Sequence, residues 1–376
     1  MPRLAATGVG RVFRPAVTIA FLVALAVLAG SAQEPPAGPA TNVLLVTMDG
    51  MRWQEVFGGL QAQLLTKEDG GVSDAAPWKA RFDAPSPEQR REKLMPFLWT
   101  VIAKQGQVFG DPARNSVARV TNGLWFSYPG YNELLTGFAD PRIDSNDRVM
   151  NPNVTVLEWL HGRPAFTGRV AAYASWELLP WILNEPRSGV LSNGDGPPFR
   201  DPKSDRERLI NEYSAELPPY WGETRFDAPT AMGALEYLRT RRPRVLYVML
   251  GETDEWAHGR RYDLYLESAQ RNDRFIRTLW ETAQSMPEYA NRTALLVTTD
   301  HGRGDSGKDW TDHGRKVPAA ERIWMAALGP AIAPLGPRSG VNVTQSQIAA
   351  TVAALLGEDY GRAQPQAAPP LDFRGK

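Results

Sequence analysis

Short, continuous apolar runs that alternate with helical patterns constrain the fold of this chain more than any other feature of its sequence. Five such runs predict strands covered on both faces, as in a parallel sheet: residues 42–48, 170–174, 245–250, 294–299 and 323–328. Apolar residues at helical spacing predict helices between and after them, at residues 96–104, 230–241, 262–284 and 344–356. Strands that alternate with helices predict an α/β fold, with a mostly parallel central sheet sandwiched by helices.

The first residues are predicted to be a targeting segment. Residues 1–32 contain three arginines, then an apolar run, then the small residues Gly30, Ser31 and Ala32. This order is typical of a secretory signal peptide, and we expect cleavage after Ala32. The alternative is an uncleaved membrane anchor, since a short apolar run can still reach across a membrane if the bilayer adapts.

The remaining chain is predicted to form one domain with flexible ends. Residues 33–41 are rich in Pro, Gly and Ala and are expected to be a flexible lead-in, and residues 361–376 a loose tail. Between them, residues 42–360 form the predicted domain. Two polar, proline-rich stretches near residues 60–94 and 184–220 are interpreted as cap insertions over the sheet.

Charge and cysteine content exclude several classes of protein. The 376 residues include 42 Lys and Arg against 42 Asp and Glu, so the formal net charge is zero. This balance argues against nucleic-acid binding, which uses an excess of positive charge. There is no Cys, which excludes disulfides, thiolate metal sites and a cysteine nucleophile.

Metal-ligand residue types follow three of the predicted strands. The first strand is followed by Asp49, the run 245–250 by Asp254 and His258, and the run 294–299 by Asp300 and His301, with His313 shortly after. Ligands of open α/β sheets bind beyond the carboxyl ends of strands, so these side chains are candidates for one site. Taken alone, Asp49 is equally well explained as a turn residue before Gly50.

Spacing and ligand type suggest two metal ions. Asp254 and His258 are four residues apart, so one helical turn can aim both at one ion. Asp300 and His301 are adjacent, and in an extended chain they would point to opposite sides and serve different ions. Asp and His ligands without Cys suit Zn²⁺, with Mn²⁺ possible. Two neighbouring metals would clamp the attacking and leaving oxygens of a displacement reaction.

A candidate nucleophile lies between the first and second metal segments. Ser127 stands at or just before the start of a predicted helix that ends near Gly137. Free backbone amides and the positive helix dipole at that position favour an anionic ester and a Ser127 alkoxide. The alternative is that Ser127 only caps the helix, because Ser is a preferred cap residue.

The ordered set of motifs resembles the alkaline phosphatase superfamily, and within it most closely the nucleotide pyrophosphatase/phosphodiesterase-like branch. The motifs span residues 42 to about 357: Asp49-Gly50, Ser127-Tyr128-Pro129 with Thr136-Gly137, Asp254 with His258, Asp300-His301-Gly302 and His313-Gly314. The resemblance implies that Asp254, His258 and His313 hold one zinc ion. It implies that Asp49, Asp300, His301 and the Ser127 oxygen hold the other.

The same resemblance implies a reaction and one further residue. Ser127 would attack phosphorus and form a phosphoseryl intermediate, which is hydrolysed in a second step. An Asn that helps to hold the phosphoryl oxygens is assigned to Asn146, with Asn151 as the rival. Tyr131 occupies the position where sulfatases carry Arg, which argues against sulfatase chemistry. Phosphoglycerate mutases of the superfamily are longer and cytoplasmic, which the export signal disfavours.

The preference between monoesters and diesters stays open at this point. Arg187 and Arg303 are candidates for binding the doubly charged phosphoryl group of a monoester. A diesterase groove could instead be lined by aromatic residues: Trp125, Tyr128, Tyr131 and Trp176.

The leading interpretation is a periplasmic or secreted hydrolase of a small phosphate ester, without nucleic-acid binding and without a stable membrane anchor after signal cleavage. The alternatives are a non-catalytic envelope protein that binds a phosphorylated or anionic ligand in the same cleft, and a phosphoryl transferase. The complete set of ligands and the nucleophile favours an enzyme.

Overall fold

The computed structural model describes residues 39–194, 196–305 and 307–374. The eleven strands within these ranges are, in chain order from β1 to β11, Asn42–Met48, Gln107–Phe109, Val117–Arg119, Val170–Ala174, Leu191–Asn193, Val245–Leu250, Thr293–Thr298, Arg322–Ile323, Met325–Leu328, Gly336–Pro337 and Asn342–Thr344. Eight of them form one sheet, in the order β10-β2-β9-β7-β1-β6-β4-β5, and β11-β3-β8 form a small second sheet.

The centre of the large sheet is parallel, as predicted. Strand β1 pairs in parallel with β6 on one side and β7 on the other, and β4 pairs in parallel with β6 and β5. Strand β9 runs antiparallel to its neighbours β7 and β2. The expected α/β fold with a mostly parallel sheet between helices is therefore confirmed.

The continuous apolar character of β1 follows from burial on both faces of the sheet. Val43 and Leu45 belong to the hydrophobic core on one face, whereas Leu44, Val46 and Met48 belong to the core on the other. Because successive side chains of a strand point to opposite faces, every position of β1 must be apolar or satisfied. This strand can therefore lie only in the interior of the sheet.

Helices cover both faces. Those of at least eight residues are Pro87–Leu94, Ser127–Thr136, Asp205–Ala215, Asp227–Arg241, Tyr262–Ser285 and Gln347–Leu355. Shorter α-helices are Trp53–Gly58, Lys67–Gly70, Ala76–Phe82, Ala103–Gln105, Val156–His161, Leu179–Ile182, Glu185–Ser188, Glu252–His258 and Tyr360–Ala363. Single turns of 3₁₀ helix lie at Ala62–Leu64 and Pro112–Arg114, and a π-helical turn at Leu98–Ile102.

Two predicted elements differ from the structure. The apolar run 323–328 is divided between β8 and β9, which belong to different sheets, because the chain leaves the small sheet at the fully buried Trp324. The predicted helix 96–104 begins with the π-helical turn Leu98–Ile102, and the Asp273 carboxylate accepts the Phe97 and Leu98 N–H groups at 2.8 and 2.9 Å. A carboxylate from a distant helix, which local spacing cannot predict, thus caps this segment.

The C-terminal residues are packed, contrary to the loose tail expected for 361–376. Leu371 and Phe373 are buried in the core, and the Gln107 side chain donates to the Phe373 carbonyl oxygen at 2.6 Å. The Ala368 N–H donates to the Gly137 carbonyl oxygen at 2.9 Å. Buried apolar side chains and these hydrogen bonds together hold a segment whose Pro- and Ala-rich composition suggested flexibility.

Residues 60–94 contribute Leu64, Phe82 and Leu94 to the core on one face of the sheet. Within the described ranges, no helix combines the length and apolar character that crossing a membrane requires. The predicted signal peptide, residues 1–32, lies outside the described residues.

Candidate active site

The candidate site is formed where the three central strands end. Asp49 directly follows β1, the helix Glu252–His258 follows β6, and Asp300 and His301 follow β7. Because β6, β1 and β7 are adjacent and parallel, their carboxyl ends open on the same edge of the sheet. His313 reaches this edge from the loop after β7. The structure therefore brings together all six Asp and His residues predicted as metal ligands.

The first candidate ligand set contains Asp254, His258 and His313. One ligand atom from each lies within 4.8 Å of the others. The Asp254 carboxylate is 3.1 Å from His258 Nε2, and the Nε2 atoms of the two histidines are 3.0 Å apart. Two imidazole nitrogens and a carboxylate are the ligand types of a zinc site that keeps a fourth position open.

The second set contains Asp49, Asp300 and His301, which are all buried and meet the same 4.8 Å criterion. His301 Nε2 is 3.4 Å from Asp49 Oδ1 and 3.4 Å from Asp300 Oδ2. The expectation that Asp300 and His301 point to opposite sides is wrong. Strand β7 ends at Thr298, and the chain bends at Asp300, so the alternation of an extended strand no longer applies.

Burial and unpaired oxygens indicate that this second set fits a cation. Asp49 Oδ1 and Asp300 Oδ2 are buried and have no hydrogen-bond partner. Burial, reinforced by the charge of Asp254, raises the pKa of Asp49, and burial with the charge of Asp49 raises the pKa of Asp300 well above its ordinary value. Buried carboxylates of this kind require compensation, which a metal ion bound by these oxygens would supply.

Backbone and side-chain contacts hold the second set in place. The Gly50 N–H donates to Asp300 Oδ1 at 3.1 Å, and the Tyr131 hydroxyl donates to Asp49 Oδ2 at 2.8 Å. Gly50 has φ +56°, and a Cβ there would lie 2.5 Å from Asp254 Oδ1. Any side chain at Gly50 would displace the ligands, so this position requires glycine.

Arg303 is buried and stabilises the first set through hydrogen bonds to Asp254. Its guanidinium is fully buried and donates to the Asp254 carboxylate, and also to the Asp254 carbonyl oxygen at 3.1 Å. Burial alone would raise the pKa of Asp254, but the charges of Arg303 and His258 lower it well below its ordinary value. Asp254 is thereby kept ionised, as a metal ligand must be.

Two further buried carboxylates fix the helix Glu252–His258. Asp227 accepts the N–H groups of Gly251 at 2.7 Å and Glu252 at 3.2 Å, and the Glu252 carboxylate in turn accepts the Asp227 N–H at 2.8 Å. Burial and the neighbouring Glu252 charge raise the pKa of Asp227 to about 7. We call this reciprocal pair the Asp227–Glu252 clamp. It holds the start of the helix that carries Asp254 and His258.

Ser127 is the first residue of the helix Ser127–Thr136. The N-cap position is Phe126, which makes no side-chain cap hydrogen bond, so the structure does not use Ser127 as the cap. Ser127 Oγ lies instead 3.3 Å from His301 Nε2. The helix approaches the site closely, since a Cβ on Gly130 would lie 2.5 Å from the Asp300 carbonyl oxygen.

The two rival asparagines have different surroundings. Asn146 Oδ1 accepts the Tyr128 N–H at 3.0 Å, and Asn146 lines the same cavity as Ser127. Only its oxygen can accept this bond, so the side-chain NH₂ group is left for a ligand. Asn151 is fully buried and donates to Asn132 Oδ1 and to the Ile182 carbonyl oxygen. Asn151 therefore serves the packing of the domain.

One cavity of about 350 Å³ is lined by all three residues of the first set and by Asp49 of the second. It is lined by Asp49, Ser127, Asn146, Trp176, Trp221, Gly222, Glu223, Thr224, Gly251, Asp254, Glu255, His258 and His313. Among these described lining residues there is no Lys or Arg. Of the four aromatic residues predicted to line a groove, Trp176 does so, whereas Tyr128 and Tyr131 are buried in the core.

Several residues of the site escaped the sequence analysis. Trp221, Glu223 and Thr224 form one wall, because Thr224 pairs with Trp176 in an isolated antiparallel bridge. They follow directly on a proline-rich stretch without periodicity, so no local pattern singled them out.

Comparison of the sequence with known proteins identifies a family match. Residues 114–363 match the family described as type I phosphodiesterase/nucleotide pyrophosphatase. No curated protein matches the chain significantly.

Solved structures share the fold at low identity. The lipoteichoic acid synthase LtaP from Listeria monocytogenes is 11% identical, with a TM-score of 0.54 over 87% of this chain and 74% of LtaP. The alkaline phosphatase PafA is 11% identical, with a TM-score of 0.52 over 90% of this chain and 99% of PafA. A 2-O GAG sulfatase is 13% identical, with a TM-score of 0.51 over 90% of this chain and 76% of that protein. The fold is thus that of the alkaline phosphatase superfamily.

Proposed function

The chain belongs to the type I phosphodiesterase/nucleotide pyrophosphatase family, and we propose that it is an exported two-metal hydrolase that cleaves phosphodiesters through Ser127. Family and fold are those of hydrolases of phosphoryl and sulfuryl esters. The observation that carries the finer proposal is that Ser127, the whole first set and Asp49 of the second set line one cavity. A site for binding alone would not need a hydroxyl group placed 3.3 Å from a ligand histidine.

The residues that would hold the metals follow from the two sets. Asp254, His258 and His313 would hold one ion, and Asp49, Asp300, His301 and Ser127 the other. Their oxygen and imidazole ligands suit Zn²⁺, with Mn²⁺ possible. When bound, such ions supply positive charge to the phosphoryl oxygens and lower the pKa of a neighbouring hydroxyl group.

Ser127 would perform the covalent step. Its Oγ forms a bond to phosphorus, the bond from phosphorus to the leaving oxygen breaks, and the hydroxyl proton of Ser127 ends on the departing alcohol. Water then cleaves the phosphoseryl bond, which restores the Ser127 hydroxyl group. The NH₂ group of Asn146 would donate to a phosphoryl oxygen, because its carbonyl is held by the Tyr128 N–H.

The charge of the cavity supports a diester rather than a monoester. Monoesters carry two negative charges and need cationic side chains, but no described lining residue is Lys or Arg. Arg303 donates hydrogen bonds to Asp254. Arg187 forms an ion pair with Glu158 at 2.7 Å and donates to the Asn153 carbonyl oxygen. Both candidates for monoester recognition are thus engaged outside the cavity.

Export is supported by the order of charged, apolar and small residues in segment 1–32. A mature chain that begins after Ala32 would act in the periplasm or outside the cell.

Hydrolysis of two aryl esters tests the proposal. We expect kcat/KM for bis-p-nitrophenyl phosphate to exceed that for p-nitrophenyl phosphate, and chelator to abolish both activities. A protein that binds metal but hydrolyses neither ester would contradict the proposed function and favour the binding protein. Faster cleavage of the monoester would contradict only the diester preference.

A further inference from the structure

The loop that leads into Ser127 is strained. Trp125 has φ +56°, in the left-handed region that a bulky side chain disfavours. Phe126 is then extended, with φ −145° and ψ 175°, and Ser127 begins its helix. A strained conformation persists only where its surroundings fix it. The position of Ser127 therefore depends on the contacts that hold residues 121–126.

A buried carboxylate fixes the start of this loop. Glu133 lies on the helix that Ser127 begins and is fully buried. Its Oε1 and Oε2 accept the Thr121 N–H at 3.0 and 2.9 Å, and Oε2 also accepts the Asn122 N–H at 2.9 Å. The Thr121 hydroxyl donates to Oε1 at 2.7 Å. One side chain of the nucleophile helix thus binds the backbone that precedes the nucleophile.

Asn122 extends this support to the strained residue. Its Oδ1 accepts the N–H groups of Leu124 at 2.8 Å and Trp125 at 3.0 Å. These bonds fold the loop back on Asn122 and fix the conformation of Trp125, two residues before Ser127. Glu133 and Asn122 together therefore determine where the chain enters the helix.

The same carboxylate links the loop to the second ligand set. Ser346 Oγ donates to Glu133 Oε1 at 2.9 Å. The side chain of the preceding residue, Gln345, donates to the carbonyl oxygens of Thr299 at 3.0 Å and Asp300 at 2.7 Å. Two adjacent residues thus anchor both the loop before the nucleophile and the segment that carries the buried ligands.

The contacts of Glu133 are explained by the loop that it holds. Within the described ranges, Glu133 accepts hydrogen bonds but forms no ion pair. Burial raises the pKa of Glu133, and the hydrogen bonds from Thr121, Ser346 and Asn122 oppose that rise. An apolar side chain would avoid the cost of a buried carboxylate, but it would leave the Thr121 and Asn122 N–H groups without their acceptor.

We propose that Glu133 and Asn122 are positioning residues for Ser127, because they hold residues 121–126 so that Ser127 Oγ stays beside the second ligand set. This inference rests on the proposed function of Ser127 as the nucleophile. Neither residue lines the cavity or belongs to a candidate ligand set. Their loss should therefore slow the attack of Ser127 on phosphorus while metal ions and anions still bind.

Glu133→Gln tests the carboxylate. The change replaces one acceptor oxygen by an NH₂ group, which repels the N–H groups that the oxygen accepted. We expect kcat/KM for bis-p-nitrophenyl phosphate to fall by at least about tenfold, since a misplacement of about 1 Å can cost about 100-fold. Metal content and the inhibition constant of inorganic phosphate should keep their wild-type values, because both report the ions and not Ser127. Unchanged kcat/KM in the folded variant, or a loss of metal and phosphate binding that matches the loss of rate, would overturn the inference.

Asp273→Asn is the matched control. Asp273 is also a buried carboxylate that accepts two backbone N–H groups, those of Phe97 and Leu98, but it does not line the cavity. The melting temperature reports the structural cost of each change, and kcat/KM should fall only in Glu133→Gln. An equal fall in both variants would contradict a specific role of Glu133.

A pair of variants at Asn122 decides the inference even if Glu133→Gln fails to fold. Asn122 is partly exposed in the loop, so its replacement leaves the core intact. Asn122→Ala removes the acceptor of the Leu124 and Trp125 N–H groups and should lower kcat/KM by about tenfold. Asn122→Asp keeps an oxygen there and should recover most of the rate. Equal losses in both variants would overturn the inference, whereas a wild-type protein that does not hydrolyse bis-p-nitrophenyl phosphate would overturn the proposed function on which it rests.

Discussion

Ser127 Oγ lies 3.3 Å from His301 Nε2, although 174 residues separate the two in the chain. The contact joins the start of one helix to the end of the central strand β7. It places a hydroxyl group directly beside the buried ligand set Asp49, Asp300 and His301. This relationship is the geometric basis for the nucleophile assigned to Ser127.

Removal of the proposed nucleophile should lower the turnover rate without lowering the stability of the fold. Ser127→Ala deletes one oxygen at the start of its helix, where the side chain makes no cap hydrogen bond. We expect kcat for bis-p-nitrophenyl phosphate to fall by at least about 1,000-fold, with an unchanged melting temperature. Steady-state kinetics and thermal unfolding of the variant measure both. Retention of wild-type turnover would rule out Ser127 as the nucleophile.

Loss of one exposed ligand should empty one metal site. The His258 side chain is 42% exposed, so His258→Ala creates little cavity and should leave the fold intact. We expect the metal content to fall from about two ions per chain to about one, with loss of turnover. His161→Ala, outside both ligand sets, is the control and should keep both ions. Two ions retained in His258→Ala would contradict the ligand assignment.

The Asp227–Glu252 clamp should act on metal affinity without touching a metal. In Asp227→Asn, the side chain can no longer accept both backbone N–H groups at the start of the ligand-bearing helix. We expect the affinity of the Asp254 site to fall by about 10–100-fold, the size typical of supporting residues. Titration with a competing chelator measures this affinity. Asp263→Asn, which changes a carboxylate paired with Arg261, should leave it unchanged.

Much of the fold could be predicted from the sequence because the patterns that indicate strands and helices are local. Strands β1, β4 and β6 have the predicted bounds, since burial on both faces requires unbroken apolar runs. The six Asp and His residues proposed as ligands could be picked out because they directly follow strands or stand close after one. The reversal at Asp300, the wall formed by Trp221 and Thr224, and the packed Phe373 depend on contacts between distant segments, which no local period encodes.

One buried carboxylate away from the site should make stability depend on pH. Burial raises the pKa of Asp273 to about 7, although the Phe97 and Leu98 N–H groups favour its charged form. A raised pKa in the folded state means that the stabilising contribution is complete below about pH 4. It is lost as the pH rises from about 4 to about 7, because over this range the unfolded state has released the proton that the folded state still holds.

Comparison with Asp273→Asn isolates this effect. We expect the difference in free energy of unfolding between wild type and variant to shrink as the pH rises from about 4 to about 7, by at most about 1.4 kcal/mol per pH unit. Urea unfolding across this range measures it. Asp205→Asn, at a side chain 99% exposed, should show no such trend. A difference that is constant with pH would contradict the raised pKa.

The metal content of the purified mature protein, measured together with its turnover of bis-p-nitrophenyl phosphate, tests the central claim most directly. The two ligand sets predict about two divalent ions per chain, with zinc as the expected metal. They also predict that turnover disappears when chelator removes the ions and returns when zinc is restored. Full turnover by a protein shown to be free of metal would contradict the two-metal site and the reaction proposed for Ser127.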